Sequence, residues 1–281
     1  MNYNLSIIIA HYYPDINQNP LFKTIKTIND QLHINSVEVI IADDGSRYSK
    51  NILNNYSNKI NISNDERCFY TLEGEKLDNF LSEINIESRF IKKWIYLPKN
   101  KQCMSKARVV NEAVRLSKSK NLFFLDDDNY LMNANSLNNL INLLNEYDFV
   151  VGQIQDKSGN LRTYNSNRVQ GTTIAIKSDI FNKIGGFGTW TENYSCGIDS
   201  DFWIKVYSHF QTNKKLKACY AEDIKTCDSY SKRWKKYTKF FKEIRLKYKF
   251  YKLYNCKNYK SSKYNLSRNK KIWIENLINE Y

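Results

Sequence analysis

Proline and glycine are scarce in this chain, three and nine residues in 281, and nowhere do they gather with serine into a linker. That excludes a string of small domains on flexible tethers and favours one large domain with an appendage. The six cysteines, at 68, 103, 196, 219, 227 and 256, form no Cys-x-x-Cys pair and no zinc spacing. A disulfide framework and a structural zinc are therefore not expected, and a reducing cytosolic setting is. No basic-then-apolar leader opens the sequence, and no apolar run approaches the roughly 18 to 20 residues that cross a bilayer, so the protein is expected to be soluble or peripheral. There is no Gly-x-Ser-x-Gly elbow and no Walker loop, which argues against serine-hydrolase and P-loop chemistry. Internal repeats are absent as well. Acidic residues are outnumbered, 29 to 43, for a formal charge of +14. The imbalance is local: from Ser229 to Tyr281 there are 16 Lys/Arg against 3 Asp/Glu, leaving 27 basic and 26 acidic residues in the first 228.

What the chain does contain is a strand that ends in carboxylates. Leu122-Phe123-Phe124-Leu125 reads as a short buried strand, and it delivers Asp126-Asp127-Asp128-Asn129 at its carboxyl end. Three adjacent carboxylates repel one another. A divalent cation would relieve that, since hard oxygens in an i, i+2 pair are what Mg²⁺ or Mn²⁺ takes alongside substrate phosphates. A solvated acidic turn is the plainer alternative.

A second acidic cluster precedes it. Leu5 to Ala10 reads as a strand that enters the loop His11-Tyr12-Tyr13-Pro14, Asn19 to Leu32 as a helix, and Val37 to Ala42 as a strand ending in Asp43-Asp44-Gly45-Ser46. A strand–helix–strand unit is right-handed and gathers ligands beyond the carboxyl ends of its strands, so both aspartate clusters should share one rim. Residues 47–90 are polar and poorly periodic, and read as an insertion with a helix around Leu77 to Ile84. Strands at Ile91–Leu97 and Phe149–Gly152, and helices at Lys106–Ser117 and Ser136–Leu144, complete a three-layer α/β alternation. Further on, Gly171 to Ile176, a helix start at Ser178-Asp179 and the glycine pair in Ile184-Gly185-Gly186-Phe187 lead to Asp199-Ser200-Asp201-Phe202, which opens an apolar helix. Carboxylates there suit the helix N-terminus, so capping competes with chemistry as their explanation.

Taken together, Ser-Ile-Ile-Ile-Ala at 6–10, Ala-Asp-Asp-Gly-Ser at 42–46, Lys-Ala-Arg at 106–108, Phe-Leu-Asp-Asp-Asp-Asn at 124–129, Gly-Gly-Phe at 185–187 and Asp-Ser-Asp-Phe at 199–202 resemble family 2 glycosyltransferases of the GT-A fold over about residues 4–230. The resemblance implies a Rossmann-like three-layer α/β/α domain, 1–228, with a mainly parallel mixed sheet, followed by a basic helical extension, 229–281. It implies a nucleotide-diphospho-sugar donor, UDP by preference, a divalent cation (Mn²⁺ or Mg²⁺), and inversion at the anomeric carbon. On the matching positions, Ala10 and His11 would flank the base and Asp43 or Asp44 would bond a uracil-type ring. Arg108 would meet the base or diphosphate. Asp126 and Asp127 would lie on the donor, Asp126 facing the ribose or a metal-bound water; Asp128 would ligate the metal, with Asp126 and Asp228 as the further metal-shell residues. Asp228 stands where many relatives have a His. Asp199 matches the second member of a Glu-Asp pair that supplies the base, yet Ile198 stands in place of the Glu, so Asp199 and Asp201 both stay candidates.

Elementary chemistry asks for the same parts. A departing nucleoside diphosphate needs its growing charge neutralised, and the attacking hydroxyl needs a carboxylate to take its proton. Among the aromatics near that carboxylate, Trp190 sits in a Gly-rich loop and is the candidate for stacking on an acceptor sugar. His33 and His209 have no assigned role. In the tail, from Lys232 onward, apolar and aromatic residues recur at three- to four-residue steps with Lys and Arg between. That pattern suits a helix on an anionic membrane face, nucleic acid being a poorer partner, or a helix that packs on the domain and turns its lysines outward. The expectation is a transferase acting on a glycan or lipid-linked glycan in surface polysaccharide, lipopolysaccharide or capsule synthesis, cytoplasmic or peripheral on the inner membrane. The alternatives are an inactive transferase scaffold that binds membrane or nucleic acid, and a nucleotidyltransferase, which would need a Gly-rich phosphate loop near residue 10 that is missing.

Overall fold

The computed structural model describes residues 3–34, 36–52, 58–61, 66–99, 104–162, 170–213, 215–229 and 240–255. The start of the basic stretch, Lys232 to Tyr237, and everything after Asn255 lie outside the described residues.

The strands are β1 (Leu5–His11), β2 (Val37–Asp43), β3 (Asn58–Asn61), β4 (Cys68–Leu72), β5 (Ile91–Tyr96), β6 (Asn121–Asp126), β7 (Asn129–Leu131), β8 (Phe149–Gln155), β9 (Leu161–Arg162), β10 (Ile174–Lys177) and β11 (Ala218–Asp228). The helices are α1 (Leu21–Asn29), α2 (Glu75–Glu83), α3 (Lys106–Arg115), α4 (Ser136–Glu146), α5 (Ser178–Lys183), α6 (Ile198–Thr212) and α7 (Phe240–Tyr254), with short 3₁₀ turns at Tyr48–Asn51 and Thr189–Tyr194. The strands form one sheet in the order β3-β4-β5-β2-β1-β6-β10-β8-β11-β7, with β9 on β8. Its centre is parallel, β5-β2-β1-β6, and β10 runs antiparallel between β6 and β8.

The continuous apolar runs of the central strands follow from helices covering both faces of the sheet. Alternate side chains go to opposite sides. Ile8, Ile40, Leu122 and Phe124 join a core built with α3, α5 and α6; Ile7, Ile9, Val39, Ile41, Phe123 and Leu125 join another with α1, α2 and α4. Each of these strand residues is at least 97% buried, a hydrophobic stabilisation of about 1.5–3 kcal/mol apiece. Within the stretch read as an insertion, 47–90, the described residues include β3, β4 and α2. The stretch adds β4 to the sheet edge, and Phe80 of α2 packs edge-on against Trp94 of β5 at 5.1 Å between ring centres.

The sequence reading names β1, β2, β5, β6 and β8 as strands and not the other six, of which β7 and β11 bear on the site. β11 carries charged residues and breaks its register against β8 between Ala221 and Lys225. Gly152 permits that break: a Cβ there would lie 2.4 Å from the carbonyl oxygen of Ile224. Beyond the bulge, β11 pairs antiparallel with β7 and sets Asp228 opposite Asn129. Among the described residues no helix is long and apolar enough to cross a membrane.

Candidate active site

The carboxyl ends of three adjacent strands meet in register. Ala10 pairs with Ala42 on one side and Asp126 on the other, and His11 pairs with Asp43. Neighbouring strands lie about 4.8 Å apart, so both aspartate clusters stand on one rim.

Three of the rim carboxylates differ in what already occupies their oxygens. Asp43 is fully buried and accepts from the Ser46 amide at 2.8 Å and the Trp94 indole at 3.2 Å, which ties the end of β2 to β5. Asp127 accepts from the Tyr12 amide at 3.2 Å, and the same oxygen lies 2.5 Å from His11 Nδ1. The His11 Nε2 atom bonds the Tyr48 hydroxyl, so this imidazole, 2% exposed, is spent on fixing the loop after β1. Asp44 differs. Its Oδ2 takes the Lys99 ammonium at 2.6 Å and the Ser105 amide at 3.0 Å, while its buried Oδ1 has no protein partner. Burial, against the pull of Lys99, raises its carboxyl to about 6.

Beside Asp44 lies the acidic centre. Lys106, the first residue of α3, places its ammonium 2.5 Å from Asp126 Oδ1. Burial raises the Asp126 carboxyl to about 6, against the attraction of Lys106 and with repulsion from Asp128 and Asp199. Asp128 accepts from its neighbour Asn129 at 3.0 Å, and its carbonyl receives the Ser229 amide at 2.8 Å, which brings the end of β11 and Asp228 to the same corner. Asn129 Oδ1 and Ser229 Oγ are buried there without protein partners. Asp199, in the first turn of α6, lies against the backbone of Gly171, where a Cβ would sit 2.1 Å from Asp199 Oδ1. That oxygen is buried with no hydrogen-bond partner, and burial raises the carboxyl's pKa despite Lys106.

Asp201, one residue beyond Ser200, is saturated. One oxygen accepts from the Gly188 amide at 2.8 Å and meets the Lys205 ammonium at 2.7 Å. The other accepts from the Trp190 indole at 2.8 Å and from the Tyr254 hydroxyl of α7. The ring of Trp190 is in turn covered edge-on by Phe250, 5.0 Å away between ring centres. Between these groups and Asp44 runs a third network, centred on Glu192. It receives Arg108 at 2.7 and 3.0 Å, Arg67 at 2.6 Å and the Ser105 hydroxyl. Burial would push Glu192 up, but the bonds from Ser105, Arg67 and Arg108 hold its carboxyl down at about 2.

No protein-family model and no curated protein match this chain. Solved structures do. S. aureus TarS superposes with a TM-score of 0.50 at 12% identity, over 81% of this chain and 37% of that one. The mannosyltransferase PcManGT from Pyrobaculum calidifontis, in complex with GDP-Man and Mn²⁺, superposes at 0.53 with 16% identity, over 83% and 59%. The chain has the GT-A fold. It spans 37% to 59% of the length of these two structures.

In this GT-A domain the residues present suit a divalent cation that arrives with phosphates. Among the described residues no three His, Cys, Asp or Glu side chains converge as a self-sufficient metal site. Yet Asp126 and Asp128 offer hard oxygens in a centre where one ammonium faces three carboxylates, and Mg²⁺-type ions commonly take one or two carboxylates and draw the rest from substrate and water. Register and contacts thus bring Ala10, Asp44, Arg108, Asp126, Asp128, Asp199 and Asp228 to the rim at the carboxyl ends of the central strands. Asp43, His11 and Asp127 are tied up within that rim, and Asp201 and Trp190 hold the loop before α6. Sequence reasoning passed over Glu192, Arg67, Lys99 and Lys106. Only Lys106 carried a signal: a lysine in the first turn of a helix opposes the dipole and calls for an acidic neighbour.

Proposed function

We propose that the protein is an inverting, metal-dependent glycosyltransferase that moves a sugar from a nucleotide-diphospho-sugar to a hydroxyl of a glycan or lipid-linked glycan. The observation that carries this is a pair of buried carboxylate oxygens without protein partners, Asp44 Oδ1 and Asp199 Oδ1, on either side of the Asp126–Asp128 corner. A buried unpaired carboxylate oxygen costs stability, and such sites persist where a ligand completes them. Asp44 Oδ1 is an acceptor for a ring N–H of a base such as uracil, with Ala10 at its side. Arg108 and Arg67 are fixed by Glu192 and supply positive charge to the diphosphate side. A divalent cation held by Asp126 and Asp128, with Asp228 at its margin, would stabilise the departing diphosphate as a Lewis acid. Asp199 takes the proton of the attacking acceptor hydroxyl; its raised pKa favours proton uptake and its free oxygen leaves room to receive it. Asp201, with four partners, serves the geometry of the loop, and Trp190, held by Asp201, keeps its uncovered surface for an acceptor.

The basic extension supports a membrane-facing acceptor. α7 buries one stripe, Leu246, Phe250 and Tyr254, on the catalytic domain. It exposes another: Ile244, Tyr248 and Tyr251 are 48%, 69% and 57% exposed. At 100° per residue these three share one face, with exposed Lys247 on one flank and Arg245 and Lys252 on the other. Aromatic bodies between cations match an anionic lipid surface, on which each cation adds about 1 kcal/mol. This reading places the protein at the cytoplasmic face of a bacterial inner membrane, in surface-polysaccharide, lipopolysaccharide or capsule synthesis.

The test is a thermal-shift screen against UDP-, GDP-, CMP- and dTDP-sugars with and without Mn²⁺, repeated on Asp128→Ala and Asp199→Asn. A metal-dependent shift with one nucleotide, lost in Asp128→Ala and kept in Asp199→Asn while transfer disappears, is the expected result. No shift with any of them would instead favour an inactive scaffold.

A further inference from the structure

Lys106 is unusual among the charged groups of the rim. It opens α3, where the helix dipole disfavours a cation, and its side chain is only 20% exposed. It lines a small void together with Ala10, Phe124, Phe187 and Ile198. Its ammonium lies 2.5 Å from Asp126 Oδ1, with Asp128 and Asp199 also acting on it. A largely buried side chain therefore sets one positive charge against the carboxylate that the proposed metal would share.

We infer that Lys106 is a built-in counter-ion: it holds Asp126 in the metal-free protein, must release it when a divalent cation enters, and then turns to the phosphate oxygens that arrive with that cation. This rests on the metal-dependent reading above and adds a binding order to it. In the free protein a cation competes with the ammonium for Asp126, so metal alone binds weakly. A nucleoside diphosphate offers the ammonium a new anionic partner, so nucleotide and metal each tighten the other by the same factor. Lys106 is thus a positioning residue, and the coupling between the two ligands is its signature.

The experiment is Mn²⁺ titration of the full chain, followed by the electron paramagnetic resonance of free Mn²⁺, alone and with saturating UDP or GDP. Lys106→Met keeps the unbranched stem and removes the charge; Lys106→Arg keeps a charge and serves as the control. Wild type should bind Mn²⁺ at least tenfold more tightly with nucleotide than without. In Lys106→Met the affinity for Mn²⁺ alone should rise at least tenfold, about 1.4 kcal/mol, and the tightening by nucleotide should shrink by a similar factor, whereas Lys106→Arg should retain most of the wild-type coupling. Nucleotide-dependent Mn²⁺ binding by wild type, with unchanged or weaker metal-only affinity in a folded Lys106→Met, overturns this inference alone. Failure of wild type to bind Mn²⁺ even with either nucleotide overturns the metal reading and this inference with it.

Discussion

Gly171→Ala tests the role of Asp199 without touching its chemistry. Gly171 has no left-handed backbone conformation to defend, so alanine is strained there only by what its methyl meets. That is the carboxylate itself: the new Cβ would lie 2.1 Å from Asp199 Oδ1, 2.6 Å from Cγ and 3.0 Å from Oδ2. Non-bonded carbon and oxygen prefer a separation of about 3.5 Å, so the carboxylate must retreat by about 1 Å. A displacement of that size at a reacting group costs on the order of 100-fold in rate, or about 2.7 kcal/mol of transition-state stabilisation. The assay is release of nucleotide diphosphate from whichever donor stabilises the protein, in parallel with donor binding by calorimetry. Turnover should fall about 100-fold while the dissociation constant for donor and metal stays within about threefold. Turnover within threefold of wild type in a folded Gly171→Ala would refute Asp199 as the base, since no arrangement of the methyl leaves that carboxylate where it is.

The two candidate bases separate further by stability. Asp201→Ala removes a buried acceptor from Gly188, Trp190, Tyr254 and Lys205 and should cost about 3–5 kcal/mol in urea melts, whereas Asp199→Asn should melt at or above the wild-type temperature because it removes a half-buried charge whose buried Oδ1 has no hydrogen bond. Glu192 sets the acid limit: its folded pKa of about 2 lies below the ordinary glutamate value of 4.5, so its contribution of about 3 kcal/mol is complete above pH 4.5 and fades as the pH falls towards 2, a dependence that Glu192→Gln should abolish. Asp44 acts with the opposite sign: with its folded pKa raised to about 6, its contribution improves as the pH drops through 6, and Asp44→Asn should flatten that gain while weakening donor binding at pH 7.5. Finally, Tyr248→Ser with Tyr251→Ser should release the protein from vesicles containing anionic lipid without lowering its melting temperature; unchanged co-sedimentation would rule out the exposed face of α7 as the contact.

Legibility in the sequence followed the strength of local pattern. The parallel centre of the sheet could be read because β1, β2 and β6 contain the apolar runs Ile7–Ala10, Val39–Ala42 and Leu122–Leu125, each followed by polar groups, and the rim followed from strand–helix–strand handedness. β11 was missed because its charged residues 222, 223 and 225 surround a bulge that obeys no period, and the partner that makes it a strand, β8, lies about 70 residues earlier in the chain. Glu192 was missed for a similar reason. Nothing near it in sequence shows that Arg67, Ser105 and Arg108 converge on it.

The choice between Asp199 and Asp201 shows where a sequence stops and a fold begins. Two residues apart on a helix, their side chains diverge by about 200°, so at the start of α6 the two must meet different surroundings. Both satisfy the preference of a helix N-terminus for negative charge, and the local sequence distinguishes them only by Lys205, four residues after Asp201 and paired with it. Most of the difference comes from elsewhere: the glycine loop before α6 and the tyrosine at the end of α7 send three partners to Asp201, to which Lys205 of α6 adds a fourth, while Gly171, from the segment before β10, leaves Asp199 a bare backbone to lie against. A carboxylate with its partners in place is quenched, whereas one with an oxygen unpaired still has an acceptor to offer, which is why the proposed base is Asp199. The same division holds at the other end of the rim, where Asp43 is spent on Ser46 and Trp94 and its neighbour Asp44 keeps one oxygen open. In both acidic pairs one aspartate keeps a buried oxygen unpaired while its neighbour is saturated by protein partners.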